Sequence, residues 1–522
     1  MPSILTTLPR ALYRASEVSQ LDRVAIDHYD IDGFTLMQRA GLVCFQVLTE
    51  RWPDTTQLLV FAGAGNNGGD AWIVAGLAKE HGLAVQLVTA SNPQNLHGDA
   101  RTAWQWAISR QVYTIAVDDF LASNFTNSRQ IVLIDGLLGT GLDRLVGGVY
   151  RQAIEFINMS KLPVLAIDIP SGLDADTGIP KGIAVKATLT ASFIGMKQGL
   201  LTGMAGNYTG QLLFSDLNVP PEVYSHCSAP QPSSARIDIM DATAHLEPRN
   251  KAAHKGDHGH VTVVGGDLGY GGAVLMAAES ALRTGAGLVS VLTRSCHRSA
   301  ILARCPELMV NCTDDKGLDT KALMARSTVI IVGPGLGTGE WSRSLFQHCL
   351  SVQLQHNIPL IIDADGLNLL AERAPENAES IEGFKRDNWI LTPHPGEAAR
   401  LLQLSSSHIV EDRFAAISAL QQKWGGHCLL KGHGSLIVNH NSEGMVLVCS
   451  EGNPGMATGG MGDVLAGLIA GLVAQGLDLG KALTAAVCIH GEAADLAAQE
   501  GERGLIATDL FPYLKQLLNV SR

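Results

Sequence analysis

Short unbroken apolar runs alternate with amphipathic stretches along this chain. Runs at 58–62, 85–89, 131–135, 164–168 and 188–193 are separated by helical stretches such as 71–81 and 98–108. A strand wetted on one face alternates apolar with polar residues, whereas a strand covered on both faces need not. Unbroken runs spaced by helices therefore predict a doubly wound parallel α/β domain. The pattern breaks at 219–234, where Pro220, Pro221, Pro230 and Pro232 interrupt a stretch of little periodicity. That composition predicts an interdomain linker. The same alternation then resumes, with runs at 261–265, 288–292, 329–333, 360–363, 390–392, 429–431 and 436–438, and closes in helices from Asp463 onward. The halves share no alignable motif, so two fused folds are expected, and not a duplication. The expected division is a domain at 1–225, a linker at 226–235 and a second domain at 236–522.

Composition narrows the function classes. A length of 522 residues exceeds what one core organises, and 46% hydrophobic with 17% charged residues is globular. The 56 glycines are aperiodic and collect after apolar runs, where phosphate-binding turns of α/β proteins sit. A net charge of −12 supplies no global positive field for nucleic acid or a membrane surface. A small anion needs none, because backbone N–H groups at helix N-termini can hold it. The nine cysteines include no CxxC pair, which predicts a reduced compartment and no zinc site. Residues 1–10 lack the apolar core of a signal peptide, and 465–473 is too short to span a bilayer. These features predict a soluble, cytoplasmic protein.

Three strand ends of the first half carry candidate chemistry. The densest is Ala62-Gly63-Ala64-Gly65-Asn66-Asn67-Gly68-Gly69-Asp70, read as a turn between a strand and a helix. Glycines there let backbone approach a diphosphate, although the run is neither G-x-G-x-x-G nor a Walker loop. Asp135 opens DGLLGTGL, and Asp168 opens DIPSGLDADTG. Carboxyl ends of parallel strands line one crevice, so these remote segments are expected to converge. Each segment alone also fits a loop with a capping Asn, Asp or Ser.

NNGGD, DGLLGTGL and DIPSGLDADTG resemble the signature segments of the NAD(P)H-hydrate epimerase family of YjeF N-terminal type, over roughly 10–225. The resemblance implies a Rossmann-like three-layer domain that interconverts the R and S hydrates at C6 of the nicotinamide ring and binds potassium. It implies hydrate contacts from Asn66, Asn67, Gly68, Gly69, Asp70, Gly139, Thr140, Gly141, Leu142, Asp143, Arg144, Leu145, Tyr150 and Asp168. It assigns the potassium ligands to Asn67, Asp135 and Ser171, hard oxygen donors suited to such an ion. Asp168 is the expected acid/base group, since inversion moves a proton. Ala71 stands where the family has glycine, and its methyl is expected to narrow the pocket.

The second half carries GDLGYGGA, GPGLG, DADGLN, TPHPGE, KGHGS and NPGMATGGMGDVLAG. In the last, glycines open an apolar helix with Asp463 in its first turn. The N–H groups of Gly459 to Gly462 can stabilise a transferring phosphoryl group, and Asp463 can take a hydroxyl proton. A capped buried helix, with Asp463 facing the dipole, would read the same in isolation. His394, between two prolines, is held stiffly at a strand end. Asp363 and Asp365 rank behind Asp463 as capping groups. His258, His260, His433 and His440 have no metal-ligand spacing and are expected to be structural.

These segments resemble the ADP-dependent (S)-NAD(P)H-hydrate dehydratase family, over roughly 236–517, implying a ribokinase-like α/β domain. ADP would phosphorylate the hydrate hydroxyl, and phosphate elimination would regenerate NAD(P)H and leave AMP. The resemblance implies hydrate contacts from Ala273, Gly335, His394 and Asp463. It places the nucleotide on Lys431, Gly432, His433, Gly434, Ser435 and Gly462. Pro454 and His433 depart from the family's small apolar residues. Mg2+ is expected for the phosphoryl step, although no compact acidic cluster marks its ligands. The expected partners are hydrated NADH or NADPH and ADP, with no nucleic acid and no membrane, in a homo-oligomer. One rival reading is a ribokinase-type kinase, marked by ATP consumption with a sugar or hydroxymethylpyrimidine. Another is a non-catalytic module binding RNA or protein, which predicts a basic surface and loss of Asp168 or the Asn pair.

Overall fold

The computed structural model describes residues 4, 7–123, 125, 130–373, 385–440, 442 and 444–519. The N-terminal stretch 1–10, read above as no signal peptide, lies partly outside them. The chain divides into two compact units, Met1–Ala235 and Arg236–Arg522. Among the described residues no helix is long and apolar enough to cross a membrane.

The first unit contains β1 (Ala11–Tyr13), β2 (Gln57–Ala62), β3 (Ala84–Thr89), β4 (Thr114–Ala116), β5 (Ile131–Gly136), β6 (Val164–Ile167), β7 (Leu189–Phe193), β8 (Met196–Lys197) and β9 (Gln211–Ser215). Seven of them form a parallel sheet in the order β4-β3-β2-β5-β6-β7-β9. Its central strands are buried along their length, as unbroken apolar runs require. One face packs on the helices Gly33–Arg51 and Asn66–Glu80, and the other holds Phe61, Phe120 and Phe156 in edge-to-face contacts.

Two expectations change here. The helix expected at 71–81 begins at Asn66, so the Asn-Asn-Gly-Gly-Asp run is its first turns and not a preceding loop. Small residues allow it: a side chain at Gly68 would strike the Gly63 carbonyl, and one at Gly69 would strike Met37. The segment 226–235, expected as a linker, ends in β10 (Ser234–Ile237), where Ser234 and Ala235 pair with Leu12 and Ala11. Prolines before it conceal a short strand that pairing with β1, and not periodicity, selects.

The second unit contains β11 (His260–Val264), β12 (Leu288–Thr293), β13 (Met309–Cys312), β14 (Val329–Val332), β15 (Leu360–Ile362), β16 (Trp389–Leu391), β17 (His427–Leu430), β18 (Ser435–Val438) and β19 (Val446–Cys449). Their order is β13-β12-β11-β14-β15-β16-β17-β18-β19, parallel to β17 and antiparallel beyond. The core joins the sheet to the helices Gly271–Thr284, Met461–Ala474 and Leu479–Ala497.

Each sheet reverses its winding direction once, between β2 and β5 and between β11 and β14. Such a reversal opens a crevice at the strand carboxyl ends. At both places a glycine just past the first strand abuts a backbone carbonyl just past the second. A side chain at Gly63 would strike the Leu137 carbonyl, and one at Gly265 the Pro334 carbonyl. Gly467 plays a similar part between helices, where a methyl would meet the Ala277 carbonyl. Overpacking of this kind costs about 1–3 kcal/mol. Gly467→Ala is expected to lower the urea midpoint of the second unit, followed by circular dichroism, without moving the transition of the first.

Candidate active sites

In the first unit the crevice is a cavity of about 560 Å³. Asn66, Asn67, Asp70, Gly139, Thr140, Gly141, Leu142, Tyr150 and Asp168 line it. Gly68 and Gly69 face packed neighbours instead, and Asp143, Arg144 and Leu145 lie exposed on the loop beyond. The methyl of Ala71 is buried against Gly136 and is not on the cavity wall, so it does not narrow the pocket.

Asp168 ends β6 with φ +63°, a left-handed conformation that is strained for a non-glycine residue and turns its carboxylate into the crevice. Its Oδ1 accepts from the Phe193 N–H at 3.1 Å and is ion-paired with Lys197. Lys197 is wholly buried, and also donates to the Phe193 carbonyl at 3.1 Å and the Ser192 hydroxyl at 3.3 Å. Oδ2 has no partner among the described residues. Asp22, on the helix Ala15–His28, lines the cavity too. Burial first, and then the charge of Asp168, lifts it to about 6 against the opposing pull of Lys197. Burial, then Asp168 and Asp22, pushes Asp70 well above the usual carboxylate range. The sequence reading missed Asp22 and Lys197. The only signal for Lys197 was a lysine inside the small and apolar segment Phe193-Ile194-Gly195-Met196.

Beneath the cavity lies an oxygen-rich knot. Ser171 Oγ donates to Asp135 Oδ1 at 2.6 Å, and the Ser171 N–H donates to Oδ2 at 2.8 Å. Asn67 Nδ2 donates to the Leu138 carbonyl at 3.0 Å. Asn67 Oδ1 is buried with no hydrogen-bond partner among the described residues. Asp135 is wholly buried, and burial lifts it to about 6 although its hydrogen bonds pull the other way. An orphaned buried amide oxygen and a buried carboxylate without a cation are groups that a hard cation would satisfy.

In the second unit Lys431 is the centre. Its Nζ donates to Asp363 Oδ1 at 2.8 Å and lies 3.9 Å from Glu397. Burial alone would lower the lysine, but Asp363, Glu397 and Asp463 together hold it above its ordinary value. Asp363 also accepts from the Thr392 hydroxyl at 2.7 Å. Asp463 sits in the first turn of Met461–Ala474, after Gly460 at φ +96°. Burial, then Asp363, lifts Asp463 to about 7, and burial lifts Glu397 to about 7. The carboxylates of remote segments thus share one electrostatic site around Lys431.

Gly462 belongs there as well, since a Cβ on it would lie 3.2 Å from Lys431 Nζ. Gly335, at φ +57°, lies against Ala273, and Asp365 accepts from the Gly337 N–H at 2.8 Å. Asp365 therefore ties down the glycine loop. His394 caps the helix Pro395–Leu402, its Nδ1 accepting from the Gly396 N–H at 3.0 Å. The Gly432–Ser435 turn hangs on buried Arg413, which donates to the carbonyls of Leu430, Lys431 and Gly434 at 3.2–3.3 Å. Sequence reasoning passed over Arg413 because nothing marks which helical arginine turns inward. The thiols of Cys449 and Cys488 and the Glu451 carboxylate also come within 4.8 Å of one another, a grouping that cysteine spacing does not reveal. The Cys449 thiol already donates to Glu451 at 3.0 Å.

The raised Asp463 has a consequence for stability. Its folded value, about 7, lies above the ordinary 3.8. The protonated form is favoured in the fold, so this contribution is full below about pH 4 and is lost as pH rises through 7. Asp463→Asn is expected to unfold at higher urea than the parent at pH 8, with the difference shrinking toward pH 4.

The chain matches two families, one described as YjeF-related protein N-terminus over residues 33–199 and one described as NAD(P)H-hydrate dehydratase over 261–516. A relative from Coxiella burnetii, described as bifunctional NAD(P)H-hydrate repair enzyme Nnr, is 43% identical, over 97% of this chain and 99% of the relative. An Escherichia coli relative of the same description is 39% identical, over 98% and 95%. A solved Enterococcus faecalis structure described as a ribokinase-like superfamily protein is 28% identical, with a TM-score of 0.49 over 55% of this chain and 95% of that one. With both halves matched and nearly all of each relative spanned, the chain belongs to the family of bifunctional NAD(P)H-hydrate repair enzymes.

Proposed function

We infer that this chain restores NADH and NADPH from their C6 hydrates in the cytoplasm. The first unit interconverts the R and S forms, and the second dehydrates the S form at the expense of ADP, with AMP and phosphate as products. One observation carries the reading: each unit holds its own acidic crevice around a lysine–aspartate pair, so two reactions on one dinucleotide have separate sites. A homo-oligomer belongs to the same reading, and light scattering above the monomer mass checks it.

In the first unit, Asn66, Asn67, Asp70, Gly139, Thr140, Gly141, Leu142 and Tyr150 would hold the hydrate. Asp168 would handle the proton through the oxygen that Lys197 leaves open. Asn67 Oδ1, Asp135 and Ser171 fit a potassium ion, because the amide oxygen lacks a donor and the carboxylate lacks a cation. Bound there, potassium would add positive charge beside the substrate.

In the second unit, Lys431, Gly432, His433, Gly434, Ser435 and Gly462 would hold ADP on the turn that Arg413 moors. Ala273, Gly335 and His394 would position the hydrate. Asp463, lifted to about 7, has the basicity to take the C6 hydroxyl proton as oxygen attacks the terminal phosphorus of ADP. The N–H groups of Gly459 to Gly462 would receive the developing phosphoryl charge. Loss of phosphate from C6 with a proton from C5 then forms the C5–C6 double bond of NAD(P)H. Magnesium, bound mainly through the phosphates, would neutralise their charge, and Asp363, Glu397 and Asp463, whose oxygens do not gather within 4.8 Å of one another, would assist without forming its site.

A mixture of R and S hydrates of NADH, supplied with ADP or ATP and followed by recovery of reduced-cofactor absorbance, tests the scheme. Asp463→Asn is expected to lower recovery by about 100-fold or more and to leave interconversion of the epimers intact. Asp168→Asn should do the reverse, slowing R consumption while S turnover persists. Equal loss of both epimers in the Asp168 variant would overturn separate sites. Exchanging potassium for tetramethylammonium is expected to slow interconversion alone.

A further inference from the structure

Inversion at a tetrahedral carbon through a flat intermediate exposes two faces of the ring. One carboxyl group can serve only one of them. Asp168 reaches the cavity from the end of β6, and Asp22 lines it from a different element, the helix Ala15–His28. Val18, Ser19 and Ile26 of that helix line the cavity with it, so the helix is part of the site and not merely its support.

We propose that Asp22 is the second acid–base group of the epimerase, working on the ring face opposite Asp168. The proposal rests on the epimerase reading of the first unit. The carboxylic acid of one residue gives its proton to the C6 hydroxyl oxygen. The C6–O bond breaks with its electron pair on oxygen, and water departs. The N1 lone pair forms the C6–N1 double bond. Solvent water then adds to the other face, and its proton passes to the second carboxylate. One proton has moved between the two carboxyl groups, and C6 is inverted. The reverse reaction is the same sequence with the roles exchanged, so it needs one proton shared by two carboxyls.

The charges around Asp22 suit that role. Asp168 has the ion pair with Lys197, and Asp22 feels Lys197 only at a distance. Asp70, from the helix Asn66–Glu80, and Tyr224 also interact with it, and Asp99 and Tyr150 line the same cavity. At about 6, Asp22 gives and takes protons near neutrality. Burial and the charges of Asp168 and Asp22 favour the neutral acid of Asp70, which suits it to donate a hydrogen bond.

The test uses the full chain, R-enriched hydrated NADH and no nucleotide, with epimers separated chromatographically and the uncatalysed rate subtracted. Asp22→Asn is expected to cut kcat for interconversion by about 100-fold with KM changed less than about threefold. Asp22→Glu should recover part of the rate, which a purely structural role would not provide. In water enriched in oxygen-18, the parent chain should incorporate one labelled oxygen per inversion, a readout independent of any variant's folding. Inversion with retention of the original oxygen would overturn the proposal, as would parental kcat in Asp22→Asn. Failure of the parent chain to interconvert the epimers would instead overturn the epimerase reading itself.

Discussion

A carboxylate at the buried carboxyl end of a parallel sheet loses its hydration and must be paired, protonated or hydrogen-bonded. Both units meet that constraint alike, with one lysine committed to one aspartate: Lys197 to Asp168, and Lys431 to Asp363. Among the described residues Asp22, Asp70 and Asp463 have no ion pair, and Glu397 lies farther from Lys431 than Asp363 does. Burial and the like charge beside them lift Asp22 and Asp70 in one unit, and Asp463 and Glu397 in the other. A single ion pair thus sets one carboxyl group of each site apart from neighbours that burial makes easier to protonate. That division is what acid–base chemistry near neutrality needs.

The backbone sets where those groups can meet. Strand reversal opens a crevice only if the loops on either side approach closely, and at both reversals the approach is backbone on backbone. Gly63 against Leu137 and Gly265 against Pro334 leave no room for a Cβ. The glycine excess is therefore spent partly on packing loop against loop, and only partly on leaving N–H groups free for an anion. Gly68 and Gly69 illustrate the first use.

This separation explains what could be read from sequence. Unbroken apolar runs placed nearly every central strand, because burial on both faces is a local compositional demand. Asp135, Asp168 and Asp463 were visible because each follows an apolar run or glycines at a strand or helix end. Edge strands such as Thr114–Ala116 and Met309–Cys312 carry no such run, and β10 depends on a partner far away in sequence. Asp22, Lys197 and Arg413 sit in segments whose composition is ordinary. Their inward direction is decided by neighbours more than a hundred residues away or on another element, which no local pattern encodes. His394 was legible as a rigid group, yet its rigidity serves first to cap a helix, with Nδ1 taken by backbone N–H groups. Its second nitrogen, Nε2, faces Glu397 Oε1 at 3.3 Å.

The same accounting bears on why two such sites occupy one chain. Every group assigned to a site comes from that site's own unit, so neither chemistry waits on the other for a catalytic group. A dehydratase that recognises one configuration at C6 leaves the mirror configuration untouched, because a site built to hydrogen-bond a hydroxyl in one direction leaves its buried polar groups unpaired against the other. Consumption of the S form then pulls the interconversion forward by mass action. The first unit need only be fast in both directions and selective in neither, which suits two exchangeable carboxyls in a wide cavity. The second must be selective and committed, which suits a closed knot of lysine, carboxylates and glycine N–H groups around a phosphoryl donor.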